Sequence, residues 1–544
     1  NGRRRRRRPV PPLLPPPRAR PLRTSARRAS LAALRTRSRR RRAPAIPLRG
    51  TPVGDGLRIL PTLRTTLATS RVGEEVTVRG WVRAARRQKD LTFVWVNDGS
   101  TFDGLQAVLE GDFRIDRAAG CFDAAPPATP VSLLSLGLGD CVELIGILSE
   151  SPAKGQELEL TVERAKLVQG CDREQVTNTF TAMWRVRNAA VQGIHQFMSD
   201  NECIQVHTPV ITSLDCEGAG EVFRVSSNSP ESGAEPPTPP ASPPGPGSSP
   251  QRPEYFGKPS YLTVSGQLQL EAVTQSLLRT YSFGPVFRAE QGMTARHLSE
   301  FWMVEAELAF VTDLPELLDF TEGLVRAAAR AVARERAEDV RFFRDRIDKD
   351  VVRRIERLCG ASGDGDGQAF ARMTYTEAVR ALLHPANCAP PFENPVRWGR
   401  KLASEHEKWL ASVHVGGPVF VTDYPAGLKP FYMRLNGPEE VDPSLLPPPD
   451  TRTAAAFDLL VPAVGELAGG SLREHCRDAL GAAMDAAGLL ASGDYDWYLD
   501  LRRFGGAPTA GFGLGFERFL MYITGMESAR DCIPVPRVPG SCLL

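Results

Sequence analysis

Residues 511 to 518 read GFGLGFER, three glycines alternating with apolar side chains ahead of Glu517 and Arg518. A strand of period two would set Phe512, Leu514 and Phe516 on one face. The glycines on the other face leave bare backbone that a ligand or a helix can approach closely. The following RFLMYITGM has helical spacing, so Arg518 sits at a strand-to-helix junction, within reach of a nucleotide phosphate. A second segment, FRAEQGMTARHLSEFWMVEAE from 287 to 307, brings Arg288, Glu290, Arg296, His297 and Phe301, then Glu305 and Glu307. Two strands joined by a polar loop would aim Arg288, Arg296 and His297 at polyphosphate, and Phe301 offers a ring on which a base can stack. With Arg518 this makes three arginines and a histidine for one triphosphate, each guanidinium capable of bidentate contact with phosphate oxygens. No GxxxxGK[ST] phosphate loop occurs, so phosphate must be neutralised by side chains of this kind. Taken singly, either segment also reads as structure alone: a hairpin edged with surface ion pairs, or a strand packed closely on its neighbour.

These side chains need a scaffold. From about 65 to 170 the pattern is short strands (EEVTVRGWV, LTFVWVND, LQAVLEG, DCVELIGIL and ELELTVERAKLV) with turn signals such as NDGS between them. Five strands in that length fit a small barrel, an OB-fold first and another all-β topology second. Residues 171 to 182 read as a linker, and MWRVRNAAVQGIHQFMSDN as an amphipathic helix with Val186, Ala190, Ile194 and Phe197 on one side. CIQVHTPVIT reads as a strand whose Pro209 marks an edge or an interface. Residues 226 to 253 are Pro/Ser/Gly-rich and cannot bury enough apolar surface to order themselves, which makes them an insertion within one domain. Beyond 261, helices segregate from runs of strands that include PVFVTDYP, FYMRL and AAFDLLVP, and YLDLRRFG precedes the Gly-rich strand. The fold class expected is α+β: an N-terminal OB-fold β-barrel, then a domain from 183 to 544 with a mainly antiparallel sheet flanked by helices.

Charge is unevenly placed along the 544 residues. The first 54 contain 18 arginines and no acid, so the remainder holds 49 basic against 64 acidic residues. An Arg-rich, acid-free, Pro-broken segment over 1 to 60 looks like an organellar transit peptide, and a basic RNA-binding arm is the other reading. The ten cysteines form no CxxC pair and no zinc-type cluster, which suits a reducing compartment. No apolar run is long enough to span a membrane.

Both chemical segments together resemble class II aminoacyl-tRNA synthetases. FRAE…RHL.EFWM.EAE resembles the second motif of that family, GFGLGFER the third, and the helix leading to QVHTP the first, whose family role is dimer contact. HTPVITSLDCEGAGEVF, YLTVSGQLQLE, LLVPAVGELAGGS and YDWYLDLRRFG are similar to the asparaginyl-tRNA synthetases of the aspartate/asparagine/lysine subgroup. The resemblance covers about 65 to 544 apart from the insertion.

It implies a reaction: L-asparagine and ATP give asparaginyl-adenylate and pyrophosphate, and the acyl group then passes to the terminal ribose of tRNA-Asn. The catalytic residues implied are Arg288, Arg518, His297 and Glu290. Arg288 would hold the α-phosphate, with Arg296 beside it; His297 and Arg518 would take the β/γ end, and Phe301 would lie under adenine. Asp458 and Glu466 would carry Mg2+ on the phosphates, hard oxygen ligands for a hard cation. Arg473 would donate to the asparagine carbonyl and Glu305 accept from its NH2, repelling aspartate. Glu217 and Gln267 would bind the α-amino group. On the barrel, Phe93 would stack on an anticodon base, with Gln106 and Glu159 reading base edges. A homodimer in an organelle, mitochondrion or chloroplast, completes the expectation.

The chain also departs from the family pattern. The loop reads EQGMTARHL for ENSNTSRHL, GGSLRE replaces GGSQRE at Leu472, PTAGFGLG replaces PHAGFGLG at Thr509, and EHEKWL replaces EHERYL. Rival readings are an aspartyl-type or non-discriminating enzyme, an amide-forming asparagine synthetase relative, which would lack the barrel, and a catalytically silent RNA-binding paralogue, which would have lost the motif arginines.

Overall fold

Alternation of buried and exposed residues builds the first sheet. Strands β1 (Glu75–Gln88), β2 (Leu91–Asn97), β3 (Leu105–Glu110), β4 (Cys141–Glu150) and β5 (Leu158–Gln169) carry it, with two short strands, Arg114–Arg117 and Val131–Ser132, at one side. β1 pairs antiparallel with β2 and β4, β2 with β3, and β4 with β5, while β3 runs parallel to β5, so the path of pairing returns to its start. Val76, Val78 and Val82 of β1 and Val142, Leu144 and Leu148 of β4 point into one core, as period two requires. At Gly146, where the register of β4 slips, a Cβ would stand 2.0 Å from the Thr161 carbonyl, so only glycine allows the strands to close here.

The structure is a computed structural model that describes residues 61 to 542, apart from 111–113, 118–130, 133–135, 137, 153–155, 170–177, 215–220, 227–254, 293, 361–368, 385–391, 440 and 446–447. The arginine-rich segment, Glu217 and nearly all of the Pro/Ser-rich insertion lie outside the described residues.

The second sheet positions the chemistry. Its strands are β6 (Ile204–Gln205), β7 (Arg279–Phe287), β8 (Glu300–Ala309), β9 (Ala371–Thr374), β10 (Val419–Pro425), β11 (Arg452–Val461), β12 (Gly465–Leu472) and β13 (Thr509–Gly515). They lie in the order β9-β10-β11-β12-β13-β8-β7-β6, with Leu435–Pro438 added beside β11. Pairing is antiparallel from β10 through β7 and parallel at the two ends, so the mainly antiparallel sheet expected from the sequence is present. On β8, Val304, Ala306 and Leu308 enter the apolar core, whereas Met303, Glu305 and Glu307 line a cleft. Helices α1 (Asn178–Asp200), α2 (Gln267–Leu277), α3 (Leu314–Glu335) and α4 (Phe516–Thr524) flank the sheet. Val186, Ala190 and Ile194 of α1 share that core with Leu317, Leu324 and Val332 of α3. Asp313 caps α3 by accepting from the Glu316 amide at 3.1 Å, and Pro315 occupies the first turn, where no N–H is needed.

Three local expectations change. CIQVHTPVIT forms only two-residue strands, Ile204–Gln205 and Ile211–Thr212, because Pro209 between them has no N–H for a ladder. FYMRL is a turn with an isolated bridge from Met433 to Arg473. The segment ahead of the Gly-rich strand, for which the sequence predicts no element, holds a short helix, Asp496–Asp500, whose turn points Tyr498 and Arg502 the same way, onto Glu271. Helix α1 also starts at Asn178, inside the stretch that reads as linker.

Candidate active site

The cleft has two ends. At the open end, the β7–β8 turn and the β13–α4 junction converge, and Arg288, Glu290, Arg296, His297, Phe301, Glu466 and Arg518 all line one wall system. The Arg288 guanidinium lies 5.5 Å from the centre of the Phe301 ring. His297 uses both nitrogens, Nδ1 with Thr294 Oγ1 at 2.6 Å and Nε2 with Glu290 at 3.2 Å. Its ring packs so tightly on the loop that a Cβ at Gly292 would stand 3.0 Å from Nδ1. Arg518 donates to the Glu466 carbonyl at 3.1 Å and to its carboxylate at 3.3 Å. Arg296 lines the same space but is held by Glu407 at 3.1 Å and by the Val464 carbonyl at 2.9 Å, which fixes it beside the β11–β12 turn. Glu517, next to Arg518, is structural: its carboxylate accepts from Arg187 of α1 at 2.7 Å and from the Trp302 amide at 3.0 Å, tying α1, β8 and α4 together.

Arg288, Met303, Glu466 and Gly513 line both ends and make the cleft continuous. Its inner end, about 460 Å³, is closed by Gln267, Glu305, Glu307 and Arg473. Arg473 and Glu307 form a two-point ion pair, with side chains only 3% and 2% exposed. Gly511 makes that possible: a Cβ there would fall 2.1 Å from Glu307 Oε1, so this glycine admits the neighbouring carboxylate rather than a ligand. Glu305 accepts from the Ser265 hydroxyl, from the Gly266 amide at 3.1 Å and from the Ser282 hydroxyl at 3.2 Å. Gln267 is buried, and its Nε2 has no hydrogen-bond partner among the described residues. Behind them Glu271, fully buried, accepts from Tyr498 at 2.6 Å, Arg502 at 2.6 Å and Thr509 at 3.1 Å.

Burial alone would raise the Glu466 carboxyl, but the combined field of Arg518, Lys429, Arg288 and Lys401 outweighs it and holds the group at about 2. Burial, aided by Glu466, raises Asp458 against the pull of Lys429. Burial raises Glu307, opposed by Arg473, with Glu271 and Glu305 adding to the rise. Burial works against the charge on Arg473, and the Glu307 carboxylate reverses the effect, so the guanidinium stays protonated.

Among the described residues no three acidic, His or Cys side chains converge as a metal cage. The donor set nevertheless suits Mg2+, which takes one or two carboxylates and completes its shell with phosphate and water. An oxygen of Asp458 and one of Glu466 lie 3.2 and 3.8 Å from a single point above Gly469, and both line the cleft. Lys429 holds Asp458 at 2.9 and 3.1 Å here.

On the first sheet, Phe93, Gln106 and Glu159 share one face of three adjacent strands. Gln106 stands opposite Glu159, and Val108, two residues on, opposes Phe93. Gln106 Nε2 donates to Glu159 at 3.1 Å, and Ser151 does so at 2.9 Å. Sequence reasoning missed Lys401, Tyr424, Lys429 and Tyr432, which line the inner cleft. Nothing in the sequence marks Lys401, and Lys429 is explained only once the structure sets it against the half-buried Asp458. The departure at Leu472 is explained by its place on the core side of β12 opposite Ala510, where an apolar side chain belongs.

The sheet thus carries an arginine-lined cleft across its polar face. Residues 172–539 match the family of class II tRNA synthetases (D, K and N), and the chain belongs to it. It is 41% identical over 495 residues to the asparagine–tRNA ligase of Geotalea uraniireducens (strain Rf4), covering 87% of this chain and 97% of the relative. The asparagine–tRNA ligase of Geobacter sulfurreducens is 41% identical over 497 residues, covering 88% and 98%. Among solved structures, the asparaginyl-tRNA synthetase of Pyrococcus horikoshii complexed with asparaginyl-adenylate superposes with a TM-score of 0.68 at 25% identity, covering 89% of this chain and all of that one.

Proposed function

We propose that this chain joins L-asparagine to tRNA-Asn by way of asparaginyl-adenylate. The observation that carries the reading is one continuous cleft whose open end gathers phosphate-binding cations and whose inner end is a sealed donor–acceptor pocket. ATP would lie with its base against Phe301 and its α-phosphate on Arg288. That places the β/γ-phosphates toward Arg518 and His297, with Arg296 and Glu290 fixing the loop. Attack by the asparagine carboxylate then needs charge neutralisation and in-line positioning, both supplied by fixed side chains. Mg2+ at Asp458 and Glu466 would neutralise phosphate charge.

At the inner end Glu305 and Glu307 stand with Arg473, and Lys401 and Lys429 line the same cleft. The selectivity rests on Glu305, which would repel a carboxylate at the side-chain position and accept from a neutral amide. Arg473 faces the side-chain carbonyl, and Glu305, with lone pairs left after its three donors, accepts from the NH2. Gln267, and with it Glu217, serves the α-amino group. ATP–pyrophosphate exchange across the twenty amino acids, followed by charging of tRNA-Asn against tRNA-Asp, tests this. Equal exchange with aspartate would sink the selectivity argument.

The closed path of pairing from β1 through β5 supports an OB-fold barrel that reads the anticodon through Phe93, Gln106 and Glu159. A Phe93→Ala protein should charge tRNA-Asn poorly while retaining exchange. Exposed Ile204, Val210 and Ile211 around Pro209 support a homodimer, which sedimentation measures. An organellar address in residues 1 to 60 is tested by fusion to a fluorescent reporter; a cytosolic signal rejects it.

A further inference from the structure

The loop ahead of the short helix Ser404–Trp409 is clamped on both sides of one lysine. On one side Trp398, fully buried, donates from Nε1 to Thr376 Oγ1 at 2.8 Å, and the Tyr375 hydroxyl donates to the Arg400 carbonyl at 2.6 Å. On the other side Leu402 is buried, and the Ala403 amide donates to Nδ1 of His406 at 3.0 Å. That buried imidazole bonds through Nε2 to the Asn394 carbonyl at 3.0 Å, and Glu405 accepts from the Glu393 and Asn394 amides at 3.0 and 2.6 Å. Between these fixed points Lys401 is exposed and lines the inner end of the catalytic cleft.

The same turn of helix ties this loop to the phosphate wall. Glu407 accepts from Arg296 at 3.1 Å and from the Glu466 amide at 3.3 Å, so the loop and β12 keep one spacing. Of the cations nearby, Arg473 is taken by Glu307 and Lys429 by Asp458. Lys401 forms no ion pair and no side-chain hydrogen bond among the described residues. Its charge still reaches Glu466, together with those of Arg518, Lys429 and Arg288. An ammonium anchored through its backbone and left without a partner is placed for an anion that arrives with the substrate.

We propose that Lys401 is a further catalytic residue, whose ammonium takes the α-phosphate of the nucleotide from the loop while Arg288 takes it from the end of β7. The inference rests on the ligase reading above. Lys401 lines the inner end and not the open end, where His297 and Arg518 stand. The α-phosphate is the one nearest the amino acid, and so the one within its reach. In activation the asparagine carboxylate oxygen bonds to the α-phosphorus, the bond to the bridging oxygen breaks, and pyrophosphate leaves with the electron pair. Two anions must meet in that step, and a second fixed cation offsets their repulsion. A lysine suits the task, since its compact charge on a flexible stem can follow the phosphate from ATP to adenylate.

The test compares wild type with Lys401→Met and with Lys401→Arg as the conservative control. Calorimetric binding of AMP and of adenosine reads the contact without any catalysis. Lys401→Met should weaken AMP about ten-fold and leave adenosine unchanged. The kcat of ATP–pyrophosphate exchange should fall about 10²-fold, with the KM for asparagine moving far less. Lys401→Arg should recover most of both losses. The melting temperature should stay at the wild-type value, because an exposed side chain without a partner holds nothing in place. Equal AMP affinity in wild type and Lys401→Met would overturn the inference. So would intact exchange with a raised KM for tRNA, which would give Lys401 to a phosphodiester of the RNA. A wild type that charges no tRNA would sink the ligase reading, and the AMP measurement would still decide the contact.

Discussion

The two ends of the catalytic cleft solve opposite problems with the same residue types. At the phosphate end the Arg518–Glu466 and His297–Glu290 pairs are half-open, with side-chain exposures of 26%, 40%, 32% and 34%, while Arg296 and Glu407 behind them are at 17% and 11%. At the amino-acid end Arg473, Glu307, Arg502 and Glu271 are all under 5%. Pairs in water exchange partners at little cost, so on the function proposed above Arg518 would leave Glu466 for a phosphate and return when pyrophosphate departs. A pair out of water cannot rearrange without exposing an unpaired charge, so it keeps one geometry and can discriminate one side chain. Release and recognition thus demand different dielectric surroundings within one groove.

The largest test of that contrast is Arg473→Met. It leaves Glu307 buried without its partner, and stability should fall by about 3–5 kcal/mol. Asparagine-dependent exchange should disappear. Urea denaturation reads the first effect, and a protein as stable as wild type would break the comparison at its stronger end.

Arg518→Ala should behave in the opposite way. Its pair is half-exposed, so the cost in stability should stay within about 1 kcal/mol, yet exchange should drop about 10²- to 10³-fold, as expected for a donor aimed at developing charge. Parallel losses of stability and activity would show that the phosphate end is as rigid as the other.

The same contrast sets a pH dependence. Glu466 is depressed to about 2 from an ordinary value of 4.5, so its contribution to stability is complete above 4.5 and is lost as pH falls through about 2. Removing Arg518 takes away the largest of the fields that depress it, and the midpoint should rise toward 4.5. Carboxyl NMR titration of wild type and Arg518→Ala follows the shift; an unmoved midpoint would mean that Lys429 and Arg288 suffice.

Much of the phosphate end is legible in the sequence, because its residues occur in two short segments and their chemistry does not depend on what surrounds them. Arg288, His297, Phe301 and Arg518 come together as their motifs imply. The sheet was legible for a similar reason: period two survives in β8 and β13 even where glycine interrupts it. The amino-acid end was only partly legible. Arg473 and Glu305 could be picked out, but the pairing of Arg473 with Glu307 depends on strand register between β8 and β13, which places Glu307 opposite Gly511. Register is a long-range property that no local window carries. Gly511 likewise admits a carboxylate and not a nucleotide. Lys401 reaches the cleft from a loop distant in sequence and gave no signal at all.

Thr509 offers the finest probe of how far the rigidity of the inner end extends. It donates to Glu271 at 3.1 Å, and Tyr498 and Arg502 supply that carboxylate with two further bonds. Thr509→Val keeps the shape and deletes only one hydroxyl, so Glu271 remains held by two donors. Stability should fall by about 1 kcal/mol. If Glu271 braces the Arg473–Glu307 pair, the KM for asparagine should rise by less than roughly ten-fold, while the KM for ATP stays put, since Glu271 takes its bonds from Tyr498, Arg502 and Thr509 and not from Arg518 or His297. An ATP effect as large as the asparagine effect would mean that the two ends are mechanically coupled, and the division between a releasing and a recognising half would have to be given up.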